Sequence, residues 1–132
     1  MAQLTVTKIH DGARNAVYHV FIKGDGTGDL SDEVIVDPAT DFDPAYPAKP
    51  TLTLDDLHYD LTGFDGSLSF NELVTGTPLW AMSGGQFAHV CLGDFGGLKD
   101  RSSPMDANGK LMLSTTGLGA GDKGVIVLQL RK

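Results

Sequence analysis

Apolar and polar residues alternate along most of this chain, and the alternation is that of β-strands. Residues 4–9 (LTVTKI) change character at nearly every step, the mark of a half-buried strand. Asp11 and Gly12 break the pattern. Residues 15–23 (NAVYHVFIK) are rich in Val, Ile and aromatics, which suit a pleated surface. Successive strand side chains point to opposite faces. Ala16, Tyr18, Val20 and Ile22 therefore share one face, predicted to be core, and Val17, His19, Phe21 and Lys23 share the other. Residues 24–29 (GDGTGD) form a turn whose three glycines are free to take positive φ.

A third strand is predicted at residues 33–37 (EVIVD). Pro38, Pro44, Pro47 and Pro50 follow; proline forbids a central strand and disfavours helix. This is a loop of about a dozen residues, a length often tied to function. Residues 51–60 (TLTLDDLHYD) alternate on Leu52 and Leu54, then slip at Asp55-Asp56 before Leu57 and Tyr59. A β-bulge accounts for the slip. Further strands are predicted at 67–73, 78–82, 86–92, 110–116 and 124–130. Residues 93–108, rich in Gly, Ser and Asp, connect two of them, and residues 117–123 join the last pair.

The pattern amounts to about nine strands, spaced about 10–15 residues apart, with no amphipathic helix and no repeat. Nothing in composition marks a second domain. The expected fold is all-β: one domain over residues 1–132, a two-sheet sandwich of jelly-roll type, with an immunoglobulin-like sandwich as the alternative.

Composition sharpens this. Of 132 residues, 41% are apolar, too many for a disordered chain and enough for a core without staples. No apolar run approaches the ~20 residues that span a bilayer, and residues 1–10 lack the apolar block of a signal peptide. The net charge is −7, carried by 15 Asp against only 2 Glu. Asp favours turns, where Glu favours helix. Eleven acids and one base, Lys49, lie between Asp25 and Asp65, while five acids meet six bases from Gly66 onward. Such a surface is a solvated face, or one that repels like neighbours or docks on a basic partner. It argues against direct binding of nucleic acid, which needs clustered Lys and Arg.

Catalytic signatures are absent. Ser83-Gly84-Gly85 fails as a nucleophile elbow because residue 81 is Ala. Residues 117–124 (GLGAGDKG) fail as a phosphate loop, since Asp precedes the Lys and Gly follows it. Cys91, the one cysteine, excludes an internal disulfide and a cysteine zinc cluster. Phe87, His89 and Cys91 share a strand face. Cys91 is expected to be a buried small hydrophobe. Side chains at i and i+2 lie roughly 6–7 Å apart, too far for a Cys–His hydrogen bond. Of His10, His19, His58 and His89, none stands at ligand spacing from another. Asp25, Thr27 and Asp29 could converge on Ca²⁺, but Leu30 and Val36 stand where an EF-hand needs Gly and Glu, so a plain turn is the better reading. Asp55 and Asp56 point to opposite faces and cannot act as a carboxylate pair. No catalytic, cofactor or metal site is expected.

Several segments, in order, resemble a family of small virion proteins of tailed bacteriophages, the capsid decoration or cement proteins. They are Arg14-Asn15-Ala16-Val17, Asp25-Gly26-Thr27-Gly28, Val36-Asp37, Trp80, Asp94-Phe95-Gly96-Gly97-Leu98, residues 109–117 (GKLMLSTTG), Gly121-Asp122 and residues 127–132 (VLQLRK). The likeness rests on their order and spacing from residue 14 to the end; the Pro-rich loop at 38–50 has no counterpart. The resemblance implies a non-enzymatic β-sandwich present in many copies on a shell. It would bind the major capsid protein and clamp neighbouring subunits, with self-association as a dimer or trimer, and would be made in host cytoplasm and carried on the virion. Phe42 and Tyr46 in the loop, Trp80 and Arg101 are the candidate contacts, because aromatics and Arg are favoured hot spots. Core packing is the alternative for Trp80, and pinning the loop is the alternative for Phe42 and Tyr46. A tail or neck structural protein and a carbohydrate-binding β-module are the competing functional readings.

Overall fold

A computed structural model of the chain describes residues 3–12, 15–31, 33–37, 53–72, 77–95, 97–99 and 107–131. Among these, the strands are β1 (Gln3–Asp11), β2 (Asn15–Lys23), β3 (Glu33–Val36), β4 (Thr53–Thr62), β5 (Asp65–Glu72), β6 (Thr77–Met82), β7 (Gln86–Cys91), β8 (Leu98–Lys99), β9 (Ala107–Thr116) and β10 (Lys123–Arg131). They form two antiparallel sheets. The larger runs β1-β2-β10-β4-β7, with β8 paired to the start of β4; the smaller runs β3-β9-β5-β6. The chain passes repeatedly between the sheets, making a β-sandwich of jelly-roll type, as the alternation predicted. The one helical piece among the described residues is a 3₁₀ turn, Leu92–Phe95. β8 and all of that turn but Leu92, the expected end of the strand before it, lie in the stretch read from sequence as plain connection.

The predicted faces of β2 hold: Ala16, Tyr18, Val20 and Ile22 are buried. β10 repeats the pattern, with Ile126, Leu128 and Leu130 inward. Ile35, Val36, Leu68, Met82, Leu111 and Leu113 of the smaller sheet belong to the same core cluster. The bulge in β4 is also present. Gln129 pairs with Asp56 and Leu130 with Leu54, so Asp55 has no opposite number. Leu54 and Leu57 are three residues apart and would face opposite sides of a regular strand; the extra residue lets both be fully buried. Pro78 sits in β6, an edge strand, the kind of strand in which a sheet tolerates proline.

The turns at one end are fastened to one another. Gly24 N–H donates to Asp122 O (2.8 Å), and Gly121 N–H donates to Gly24 O (3.1 Å). A Cβ on Gly24 would lie 2.0 Å from Gly119 O, so only glycine lets the two turns touch. Asp29 supplies a second fastening. Its Oδ1 accepts from Leu118 N–H (2.7 Å) and Thr115 Oγ1 (3.2 Å), while Thr115 Oγ1 accepts from Leu30 N–H (2.9 Å). Asp25 closes its own turn, accepting from Thr27 N–H at 3.0 Å.

Truncating Leu57 to Ala should cost about 2–5 kcal/mol by leaving a cavity, and Gly24→Ala about 1–3 kcal/mol by backbone collision; urea denaturation reads both. The Asp29 carboxyl is held below the ordinary carboxylate range, chiefly by the Leu118 N–H, which outweighs the opposing effect of desolvation. A depressed carboxylate stabilises the fold above its unfolded pKa and loses that contribution as pH falls through the folded value. Melting temperature followed from pH 7 into acid should therefore fall more steeply for the wild type than for Asp29→Asn, the two curves converging at the acid end. Parallel curves would exclude the carboxylate as a fastening.

Candidate functional site

The outward face of the larger sheet gathers side chains from distant parts of the sequence. Strand register places Phe21, Val125, Asp60 and Phe87 in one row, His19, Val127, His58 and His89 in the next, and Val17, Gln129, Asp56 and Cys91 in a third. Val125 and Val127 are half-buried, whereas Phe87 is 84% exposed. A shallow depression of about 540 Å³ is lined by His58, Asp60, Phe87, His89, Val125 and Val127. A ring left in water on the rim of such a depression is a typical contact residue.

Beside Phe87 lies a cluster of four polar side chains. The rings of His58 and His89, directly opposite on β4 and β7, stack with centroids 3.8 Å apart and planes at 9°. His89 Nε2 lies 2.7 Å from Asp56 Oδ1 and 3.4 Å from Cys91 Sγ. His58 Nε2 is 3.8 Å from Asp56 Oδ2. The bulge separates the two neighbouring aspartates: Asp55 faces Arg131 at 3.6 Å, while Asp56 joins the histidines.

Three expectations are corrected here. Cys91 is exposed, because the face it shares with Phe87 and His89 turns outward. The Cys91–His89 contact exists despite the i, i+2 spacing, because that spacing separates strand positions and the imidazole reaches along the strand to bridge it. His58 and His89 do come together, through strand pairing across 31 positions that no local spacing reports. The shared orientation of residues 87, 89 and 91 was readable from alternation; its direction and its partner strand were not.

Trp80, the described member of the predicted contact set, lies in the other sheet, opposite Leu68. It packs half-buried against the core, and its Nε1 is buried without a hydrogen-bond partner. Phe42, Tyr46 and Arg101 lie outside the described residues. The carboxylates of Asp25 and Asp29 fasten turns, and among the described residues the group of three or more close metal-ligating side chains is Asp56, His89 and Cys91.

No family model and no curated protein sequence matches this chain. Solved structures similar to it match at low identity. One is from work on Bacillus endospore appendages, described as disulfide-linked pili (TM-score 0.45, 12% identity, covering 98% of this chain and 88% of that one). Another is the CBM22-1 xylan-binding domain of Paenibacillus barcinonensis Xyn10C (0.41, 9%, 98% and 80%). A third is a cupin domain from Bordetella pertussis (0.35, 9%, 98% and 94%). None of them bears on what this chain does.

An outward Cys91 should react with a thiol reagent in the folded protein, one equivalent per chain, at a rate close to that of the denatured chain. Labelling that needs denaturant would show the thiol to be enclosed.

Proposed function

We propose that this chain is a non-enzymatic virion structural protein, a decoration protein that attaches to the outer shell of a tailed bacteriophage and bridges major capsid subunits. The sequence resemblance from residue 14 onward supports the class. The observation that carries the mode of attachment is Phe87, an aromatic side chain left 84% exposed beside Val125 and Val127 on the outer sheet face. An exposed aromatic anchor on the edge strand, with Asp60, His58 and His89 beside it, brings apolar and polar groups together as interface patches do. The two-sheet core keeps that face rigid, so little ordering entropy opposes docking. Attachment at many copies needs only a modest interface at each, because a first bridge raises the local concentration for the second.

Purified protein added to shells lacking it, followed by sedimentation, measures occupancy. Phe87→Ala should weaken attachment by about tenfold or more, the range of an anchor residue, with the melting temperature unchanged because the ring is outside the core. Tyr46→Ala and Trp80→Ala test the loop and the smaller sheet in the same assay. Occupancy unchanged by Phe87→Ala removes the outer face from the reading; rings or tubes instead of shell binding would indicate a tail or neck protein.

A further inference from the structure

We infer that Asp56, His89 and Cys91 form a binding site for a zinc-class divalent cation on the outer face of the larger sheet. The inference stands on the cluster alone and holds whether or not the chain decorates a capsid.

The ligand atoms of the three residues all lie within 4.8 Å of one another. The same nitrogen, His89 Nε2, meets both Asp56 Oδ1 at 2.7 Å and Cys91 Sγ at 3.4 Å. This arrangement does not suit a thiol–imidazole–carboxylate relay, in which the acid must hold Nδ1 while the thiol meets Nε2. A neutral imidazole Nε2 is either a donor or an acceptor. It can give a proton to Asp56 or receive one from Cys91, and cannot do both at once. A cation resolves the conflict, because the nitrogen lone pair, carboxylate oxygen and thiolate can all point at one centre.

Distances and charge agree. Zinc bond lengths of about 2.0–2.3 Å in tetrahedral geometry separate ligand atoms by about 3.3–3.6 Å. The S···N distance of 3.4 Å already fits; the 2.7 Å O···N contact must open and the Asp56–Cys91 pair, within 4.8 Å, must settle at the same spacing, both by rotation of the Asp56 and Cys91 side chains. One carboxylate and one thiolate balance a divalent charge. A mixed S, N, O set favours zinc-class ions over Ca²⁺ and Mg²⁺, which take oxygen ligands. His58, stacked on His89, fixes the ring that carries the ligand nitrogen. The fourth position faces solvent: the Asp56 and His89 side chains are 27% and 46% exposed.

The test is titration of the full-length, reduced, metal-free protein with Co²⁺. One ion per chain should produce a thiolate-to-cobalt charge-transfer band in the near ultraviolet and visible bands of tetrahedral intensity, both removed by added Zn²⁺. Cys91→Ser should abolish the charge-transfer band. His89→Gln and Asp56→Asn each remove a direct ligand and should weaken binding by more than the roughly 10–100-fold that loss of a mere outer-shell partner costs, with circular dichroism confirming the fold. Zn²⁺ should also shield Cys91 from a thiol reagent, while Ca²⁺ and Mg²⁺ should not. Absence of the band at saturating Co²⁺, or undiminished affinity in His89→Gln, overturns the site.

Discussion

The pairing of β4 with β10 on one side and β7 on the other is the constraint on which both the sandwich and its outer face depend. β4 is interior to the larger sheet, and its side chains divide by a period of two. Leu57 and Leu61 go inward, while Asp56, His58 and Asp60 go outward. A slip of one residue would bury three polar groups and expose the leucines, and burying unpaired carboxylates is far costlier than any gain in ladder bonds. The bulge at Asp55 lets the strand obey this rule although Leu54 and Leu57 are out of phase. The same bulge directs Asp55 to Arg131 and Asp56 to His89. Core and surface cluster are thus two consequences of one register.

The acidic residues take on a different meaning in three dimensions. Several aspartates do more than hydrate a face. Asp29 accepts from Leu118 N–H, Asp122 from Gly119 N–H (2.8 Å) and Asp65 from Gly84 N–H (2.6 Å). Each satisfies a backbone donor where the chain reverses and no ladder partner is in reach. Asp122 folds back onto its own turn, whereas Asp29 and Asp65 each reach an adjoining one; the short stem of Asp gives up less rotamer freedom than Glu in either use. Asp25, Asp29, Asp65 and Asp122 are therefore placed where they close or join turns.

Phe87 and the Asp56–His89–Cys91 cluster sit on one face, at the β4–β7 side of the sheet. An exposed aromatic gains nothing for the fold, since its ring is outside the core. A thiol, a carboxylate and two imidazoles crowded together likewise contribute little to folding when half in water, where charge interactions are screened. Residues that do not stabilise the scaffold but are held in fixed geometry by it are the natural carriers of binding.

Local pattern was sufficient for the elements. The alternation in residues 15–23 assigned core and surface positions correctly, and the leucine slip at Asp55-Asp56 announced the bulge, because both depend on the pleat and nothing further away. Chain order could not assign Cys91 to solvent, since its strand alternates equally well in either orientation; the sandwich decides by packing Val90 against the core. Nor could it bring Asp56 to His89 or His58 to His89, contacts made only when two strands more than thirty residues apart adopt one register. The sequence by itself therefore determined an all-β sandwich with acidic turns, because strand periodicity and turn chemistry are local. The tertiary structure alone decided which polar residues meet, because cross-strand neighbours are set by long-range pairing that local periodicity does not encode.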